Sequence, residues 1–263
     1  MTEIHFTEAQ EYLRCQRKWY NSNYLQLEPL ELSSAMRFGG CFHQVKEAYL
    51  KGNVEPGYTR ETLGDSDNRL LFKLFEVWRE WYLDQSYQHL QIEEPLSIML
   101  HGAKFIVTPD GILRDDDDEL WIDETKTAGQ FDEDRLMLDL QGRVQMLVAL
   151  ENGIKVAGVK YTQVRKSNPD TAKVEIIKEF ELRFPEGALR DAAVTVDTVV
   201  EQIVLYRSSL ETGYLDIDRA MLRNSNPISF MDCMCPFEKA CTAAWMGREQ
   251  EALTTLYKAK EPR

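Results

Sequence analysis

The 263-residue sequence contains no run of about 18 apolar residues, which excludes a transmembrane helix of ordinary length. Its first residues, MTEIHFTEAQEYLRC, lack a basic stretch followed by an apolar one. No secretory signal is read there, and a cytoplasmic protein is expected. Positive charge is in deficit as well. The net charge of −13 argues against bulk electrostatic binding of polyanions, though not against a local basic groove. Cysteines are few and odd in number: Cys15, Cys41, Cys233, Cys235 and Cys241. An odd count without a secretory signal gives poor grounds for disulfides. There is no internal repeat and no low-complexity tract. The pattern G-x-x-x-x-G-K-[ST] is missing, which leaves no sign of a nucleotide-driven motor.

What is present reads as an ordinary soluble globular chain, with 43% hydrophobic and 29% charged residues. The length suits one large domain or a core with an added lobe. Tyr12, Cys15 and Trp19 share a helical face, which predicts a helix over 7–20. Phe38, Phe42, Val45 and Tyr49 predict another over 35–51, and a third covers 66–90. SIMLHG, AKFIVT, GILR and ELWID read as strands, the last two joined by the acidic turn Asp115 to Glu119. A helix over 132–152 ends at Asn152-Gly153. KVAGVKYTQVRK and KVEIIKEFELRF read as strands around the turn SNPDT. A long helix runs from Pro185 to about Ser209, and the tail from 224 reads as irregular. The order gives a mixed α/β core with a helical N-terminal lobe. Within a single domain over 1–263, the lobe covers 1–90, the α/β core 91–210 and the cysteine-rich tail 224–245.

The stretch WIDETKTAG, residues 121–129, places Asp123, Glu124 and Lys126 in what otherwise reads as a buried strand. Charged residues are seldom buried unless paired or bound. Alternation puts Glu124 and Lys126 on one face, and Asp123 and Thr125 on the other. The preceding hairpin brings Asp110, in TPDGIL, alongside Glu124. Two carboxylates suit a hard divalent cation, and a lysine beside them orients or activates a water and offsets phosphate charge. A hairpin with solvated ends and a salt bridge explains these three residues equally well.

The pattern Pro109-Asp110, Glu124-Thr125-Lys126 resembles the PD-(D/E)xK nuclease superfamily. The RecB-like branch has a histidine in an upstream helix, and FGGCFHQVKEAYL supplies His43 after Gly39 and Gly40. It also has a glutamine in the helix after the lysine strand. DLQGRVQMLVALENG offers Gln145, with Gln141 one turn earlier, while Ala149 stands where the branch usually has tyrosine. CMCPFEKAC, with Cys233, Cys235 and Cys241, joins Cys15 in a one-plus-three layout. That layout is similar to the [4Fe–4S] staple of AddB nuclease domains and CRISPR-associated RecB-like exonucleases. The spacing departs by one residue, because Asp232 occupies the expected cysteine position. Four thiolates suit a cluster or zinc. Cys41 reads as a small buried hydrophobe.

The resemblance implies a restriction-endonuclease-like fold and metal-dependent hydrolysis of DNA. His43, Asp110 and Glu124, with the Thr125 carbonyl, would hold Mg²⁺ or Mn²⁺, and Lys126 would position the water. Single-stranded DNA or DNA ends are the implied substrate. Any duplex opening would fall to a helicase, recombination or CRISPR-adaptation partner, and no membrane is involved. Arg14, Arg17 and Lys18 beside Trp19 and Tyr20 suit contacts with a DNA backbone. A basic helix face packed on the acidic body accounts for them equally. Two other readings remain: a catalytically silent DNA-end-binding or adaptor subunit, and an acidic interaction protein with structural zinc.

Overall fold

The computed structural model describes residues 2–30, 34–53, 63–214 and 235–260. In chain order the first elements are β1 (Glu3–His5), α1 (Phe6–Arg14), α2 (Gln16–Trp19), a π-helical turn (Tyr20–Tyr24) and β2 (Leu27–Pro29). Next come α3 (Ser34–Leu50), α4 (Asp65–Leu83), β3 (Gln88–Ile92), β4 (Leu96–Leu100), β5 (Ala103–Val107), β6 (Gly111–Arg114) and β7 (Leu120–Ala128). They are followed by α5 (Glu133–Met137), α6 (Leu140–Glu151), β8 (Val156–Arg165), β9 (Ile177–Leu182) and α7 (Glu186–Glu211). The last are α8 (Glu238–Trp245), α9 (Glu249–Leu256) and β10 (Tyr257–Ala259). The mixed α/β class expected from the sequence is the one observed.

Four elements differ from the sequence expectation. The helix over 7–20 breaks at Cys15, which is extended at φ −165° while its sulfur accepts from the Lys18 amide at 3.4 Å. The helix over 66–90 stops at Leu83, and 88–92 is a strand because pairing with β6 outweighs local helical preference. The helix over 132–152 is two helices. The Asp132 carboxylate caps α5 through the Arg135 amide at 3.0 Å, and Asp139 caps α6 through the Gln141 amide at 3.1 Å. The described part of the tail is helical, because Phe237, Ala240, Leu253 and Tyr257 form a small core of their own. The Phe237 and Tyr257 rings stack there at 4.7 Å.

The chain divides into two compact units. The first holds residues 1–32, 99–105 and 195–263, and the second holds 33–98 and 106–194. This division joins the two ends of the chain in one unit, a different partition from lobe, core and tail in sequence order. The second unit carries a five-stranded sheet of order β3-β6-β7-β8-β9. Strands β7 and β8 are parallel and the other neighbours antiparallel. A parallel pair needs a crossover, and α5 with α6 supplies it. Both faces of β7 are covered, so residues 121–125 are all buried. The expected stripe on α3 is observed: Phe38, Phe42 and Val45 pack with Leu71, Leu74, Phe75 and Trp78 of α4, and Tyr49 flanks them. Cys41 belongs to the same core, as expected.

Candidate active site

All the polar residues singled out between His43 and Gln145 lie in the second unit. The β6–β7 hairpin sets their register. Gly111 pairs with Asp123, which places Asp110 one step beyond, beside Glu124 and Thr125. The Thr125 amide donates to Asp110 Oδ2 at 2.8 Å. From α3, His43 Nδ1 lies 3.2 Å from the same oxygen. Gly39 of α3 faces Thr127 of β7, where an added Cβ would stand 3.4 Å from Thr127 Oγ1, an ordinary contact distance.

Glu124 and Lys126 share one face of β7, as alternation requires. Lys126 Nζ donates to Glu124 Oε1 at 2.7 Å and to Gln141 Oε1 at 2.7 Å. Gln141 Nε2 donates to Glu124 Oε1 at 2.8 Å, and Gln145 Nε2 to Glu124 Oε2 at 2.9 Å. The two glutamines sit one turn apart on α6 and hold both oxygens of one buried carboxylate.

A family model described as the PD-(D/E)XK nuclease superfamily matches residues 4–242. The chain belongs to the PD-(D/E)XK nuclease superfamily. The restriction-endonuclease-like mixed α/β fold is therefore the one observed. Among solved structures, the chain is similar to a protein of Eubacterium rectale named "Putative exonuclease", at 14% identity and a TM-score of 0.51. That match covers 88% of this chain and 92% of the other, and at such identity it shows the fold alone. A structure named SSO0001 aligns at 18% identity over 84% of this chain and 85% of that one, with a TM-score of 0.37, too loose to carry an argument. No curated protein sequence matches the chain.

Within this PD-(D/E)XK frame, two groups at the site escaped sequence reasoning. The first is Lys46, one turn after His43 on α3 and fully buried. Its ammonium donates to Asp110 Oδ2 at 3.2 Å, Asp123 Oδ2 at 2.8 Å and Thr125 Oγ1 at 2.5 Å. Asp123, on the face away from Glu124, is thus buried in a network of its own. It also meets His89 Nε2 at 3.1 Å, and His89 Nδ1 meets the Tyr82 hydroxyl at 2.9 Å. The i, i+3 spacing of His43 and Lys46 was a signal available in the sequence.

The second is Glu93, in the β3–β4 turn with φ 53°. Its amide donates to the Asp110 carbonyl at 3.0 Å. Ligand atoms of His43, Glu93 and Asp110 all lie within 4.8 Å of one another. No local motif marks Glu93, because a β-turn brings it to the site.

The electrostatics follow from burial and charge. Burial opposes ionisation of Asp110, but Lys46, His43 and the Thr125 amide outweigh it and hold its carboxyl well below the usual range. Burial likewise opposes Asp123, and Lys46 and His89 outweigh it in the same direction. Burial opposes the Lys46 cation, but Asp123 and Asp110 more than compensate and raise its pKa. Burial pushes Glu124 up against the opposing charge of Lys126, and Asp110 adds to the rise. Burial and the Asp110 charge push Glu93 up to about 7.

Cys15, Cys235 and Cys241 fall in the first unit, and Cys233 lies outside the described residues. Cys235 is pushed up by burial and also feels Cys15. Tyr257 feels both Cys235 and Cys241. Among the described residues, these cysteines do not form a group close enough for one ion. Of the basic residues near Cys15, Arg17 is buried and pairs with Glu249, and Lys18 pairs with Glu11 at 2.8 Å. Arg14 is exposed at the end of α1. No helix among the described residues is long and apolar enough to cross a membrane.

Proposed function

We propose that the chain hydrolyses phosphodiesters of single-stranded DNA, from an end, with one or two divalent metal ions as cofactor. The observation that carries this reading is the β6–β7 register, which sets Asp110 beside Glu124 and Lys126 in a member of a nuclease superfamily. The donor set suits a hard divalent cation, since it is made of carboxylate oxygens and one imidazole. Asp110, Glu124 and His43, with the Thr125 carbonyl, would hold Mg²⁺ or Mn²⁺. Such an ion supplies charge for the phosphate oxygens and lowers the pKa of water.

The protein's own residues do the rest. Gln141 and Gln145 fix Glu124 from α6, leaving its carboxylate no rotational freedom. Lys126 is held by Glu124 and Gln141 and keeps a third N–H to aim a water at phosphorus and offset charge on the phosphate. Residues 1–263 act together as one nuclease domain in this reading. Arg14 is the exposed basic residue assigned to the DNA backbone. Duplex opening is assigned in this reading to a helicase, recombination or CRISPR-adaptation partner.

We also propose that Cys15, Cys233, Cys235 and Cys241 hold a [4Fe–4S] cluster that ties the N-terminal helices to the tail. Supporting this is the electrostatic nearness of Cys15 to Cys235, and of Tyr257 to Cys235 and Cys241. A brown anaerobic preparation containing iron and sulfide is expected; a colourless one containing zinc overturns it.

The nuclease reading is tested on end-labelled linear and circular single-stranded DNA with Mn²⁺ or Mg²⁺. Wild type should degrade the linear strand and spare the circle, while Lys126→Ala and Asp110→Ala should lose activity. Cleavage that survives both substitutions refutes the mechanism. Metal binding without turnover by the wild type selects the silent DNA-end-binding module instead.

A further inference from the structure

The buried and half-buried acids around Asp110 differ in one respect. Asp110 accepts from Lys46 and the Thr125 amide and faces His43. Asp123 has Lys46 and His89. Glu124 has Lys126 and both glutamines. Glu93 alone of the four makes no hydrogen bond or ion pair with its carboxylate among the described residues, yet it stands with His43 and Asp110 inside 4.8 Å. The Glu93 amide bond to the Asp110 carbonyl keeps the turn in place, so the carboxylate is held where a like charge already sits. Lys46 and His43 already offset the charge of Asp110, whereas the Glu93 carboxylate has no bonded partner among the described residues, and a cation between the two carboxylates gives it one.

We propose that Glu93 is a metal ligand, and that His43, Glu93 and Asp110 form a cation position of their own, sharing Asp110 with the Glu124 side of the site. This rests on the nuclease reading for the cation and goes beyond the motif residues in adding Glu93. The ligand chemistry selects the ion. An imidazole nitrogen with two carboxylates suits a cation that accepts both nitrogen and oxygen donors, whereas Mg²⁺ favours oxygen and retained water. Mn²⁺ is therefore favoured over Mg²⁺ at this position. Glu124, with both oxygens already held from α6 and by Lys126, serves the other side.

The test is Mn²⁺ binding itself, followed by electron paramagnetic resonance on the full chain. Wild type, Glu93→Gln and Glu93→Asp are titrated, with Mg²⁺ as competitor. Glu93→Gln should weaken Mn²⁺ binding by about tenfold or more, the scale on which even supporting residues of metal sites act. Glu93→Asp should retain part of the affinity. Without metal, Glu93→Gln should melt at or above the wild-type temperature, because the substitution removes a carboxylate with no bonded partner among the described residues, and a given Mn²⁺ concentration should raise its melting point less than that of wild type. Mn²⁺ affinity of Glu93→Gln within a factor of two of wild type overturns the proposal, as does a wild type that binds no Mn²⁺. Cleavage of single-stranded DNA is scored in parallel. A wild type that cleaves while Glu93→Gln binds Mn²⁺ normally sinks only the role of Glu93. Loss of Mn²⁺ binding in Glu93→Gln beside an inactive wild type sinks only the nuclease reading.

Discussion

Replacing Lys46 by methionine tests how the site is assembled. The substitution removes the ammonium that donates to Asp110, Asp123 and Thr125. Methionine is unbranched and of similar length, so the cavity contribution is small. Two buried carboxylates each lose a charged hydrogen bond, worth about 1.5–3 kcal/mol apiece, or about 3–6 kcal/mol together. Breaking a buried ion pair from one side costs about 3–5 kcal/mol by a separate measure. His43 and the Thr125 amide still serve Asp110, and His89 still serves Asp123, which places the loss at about 3–4 kcal/mol. Against a total stability of about 5–15 kcal/mol this is a large fraction.

Urea unfolding of the metal-free protein, followed by tryptophan fluorescence, reads the effect, and the Trp78 ring lies 6.0 Å from the Lys46 nitrogen. With a slope of about 3 kcal/mol per molar urea, the midpoint should fall by about 1 M. The pair Lys46→Met and Asp123→Asn should be more stable than Lys46→Met alone, because one orphaned charge is gone. A midpoint unchanged from wild type, or a double variant as unstable as the sum of its singles, would refute the reasoning.

The acid limb of stability should also carry the signature of Asp123. Its folded carboxyl is held low by Lys46 and His89, so the stabilisation is complete above the unfolded value of about 3.9 and is lost as pH falls through the lower folded value. Asp123→Asn should flatten the fall in melting temperature below about pH 4, and an unchanged slope would remove Asp123 from the network. On α6, a Cβ on Gly142 would stand 2.2 Å from the hydroxyl of the fully buried Tyr161, an overpacking that costs about 1–3 kcal/mol. Gly142→Ala should lower both the unfolding midpoint and the nuclease rate, since Gln141 and Gln145 ride on the same helix. Adding Tyr161→Phe should recover stability, and no recovery would place the strain elsewhere.

The chemistry-bearing residues of one strand were legible because alternation is a local rule: Glu124 and Lys126 had to share a face, and a hairpin had to bring Asp110 beside them. The α3 stripe of Phe38, Phe42 and Val45 was legible for the same reason, since 3.6-residue periodicity is written within one element. Helix ends were less so. Nothing short of the pairing of β3 with β6 says that 88–92 leaves the helix, and nothing short of the two aspartate caps splits 132–152. The glutamines illustrate a middle case: their positions follow from the α6 period, but that both hold Glu124 depends on the distance between helix and strand.

Glu93 and His89 had no local signature, and Lys46 had only its i, i+3 spacing from His43. They come from a turn, the edge strand that leads into it and a helix well upstream, and only packing reveals that an apparently solvated lysine is a buried counter-ion. Thus the sequence by itself determined the fold class and the faces of the elements, because these follow from periodicity within single segments, and it carried the residues of the family motif as a resemblance. The tertiary structure alone decided which charges of the site are paired and which of its carboxylates has no bonded partner among the described residues, because pairing depends on distances that no single segment sets.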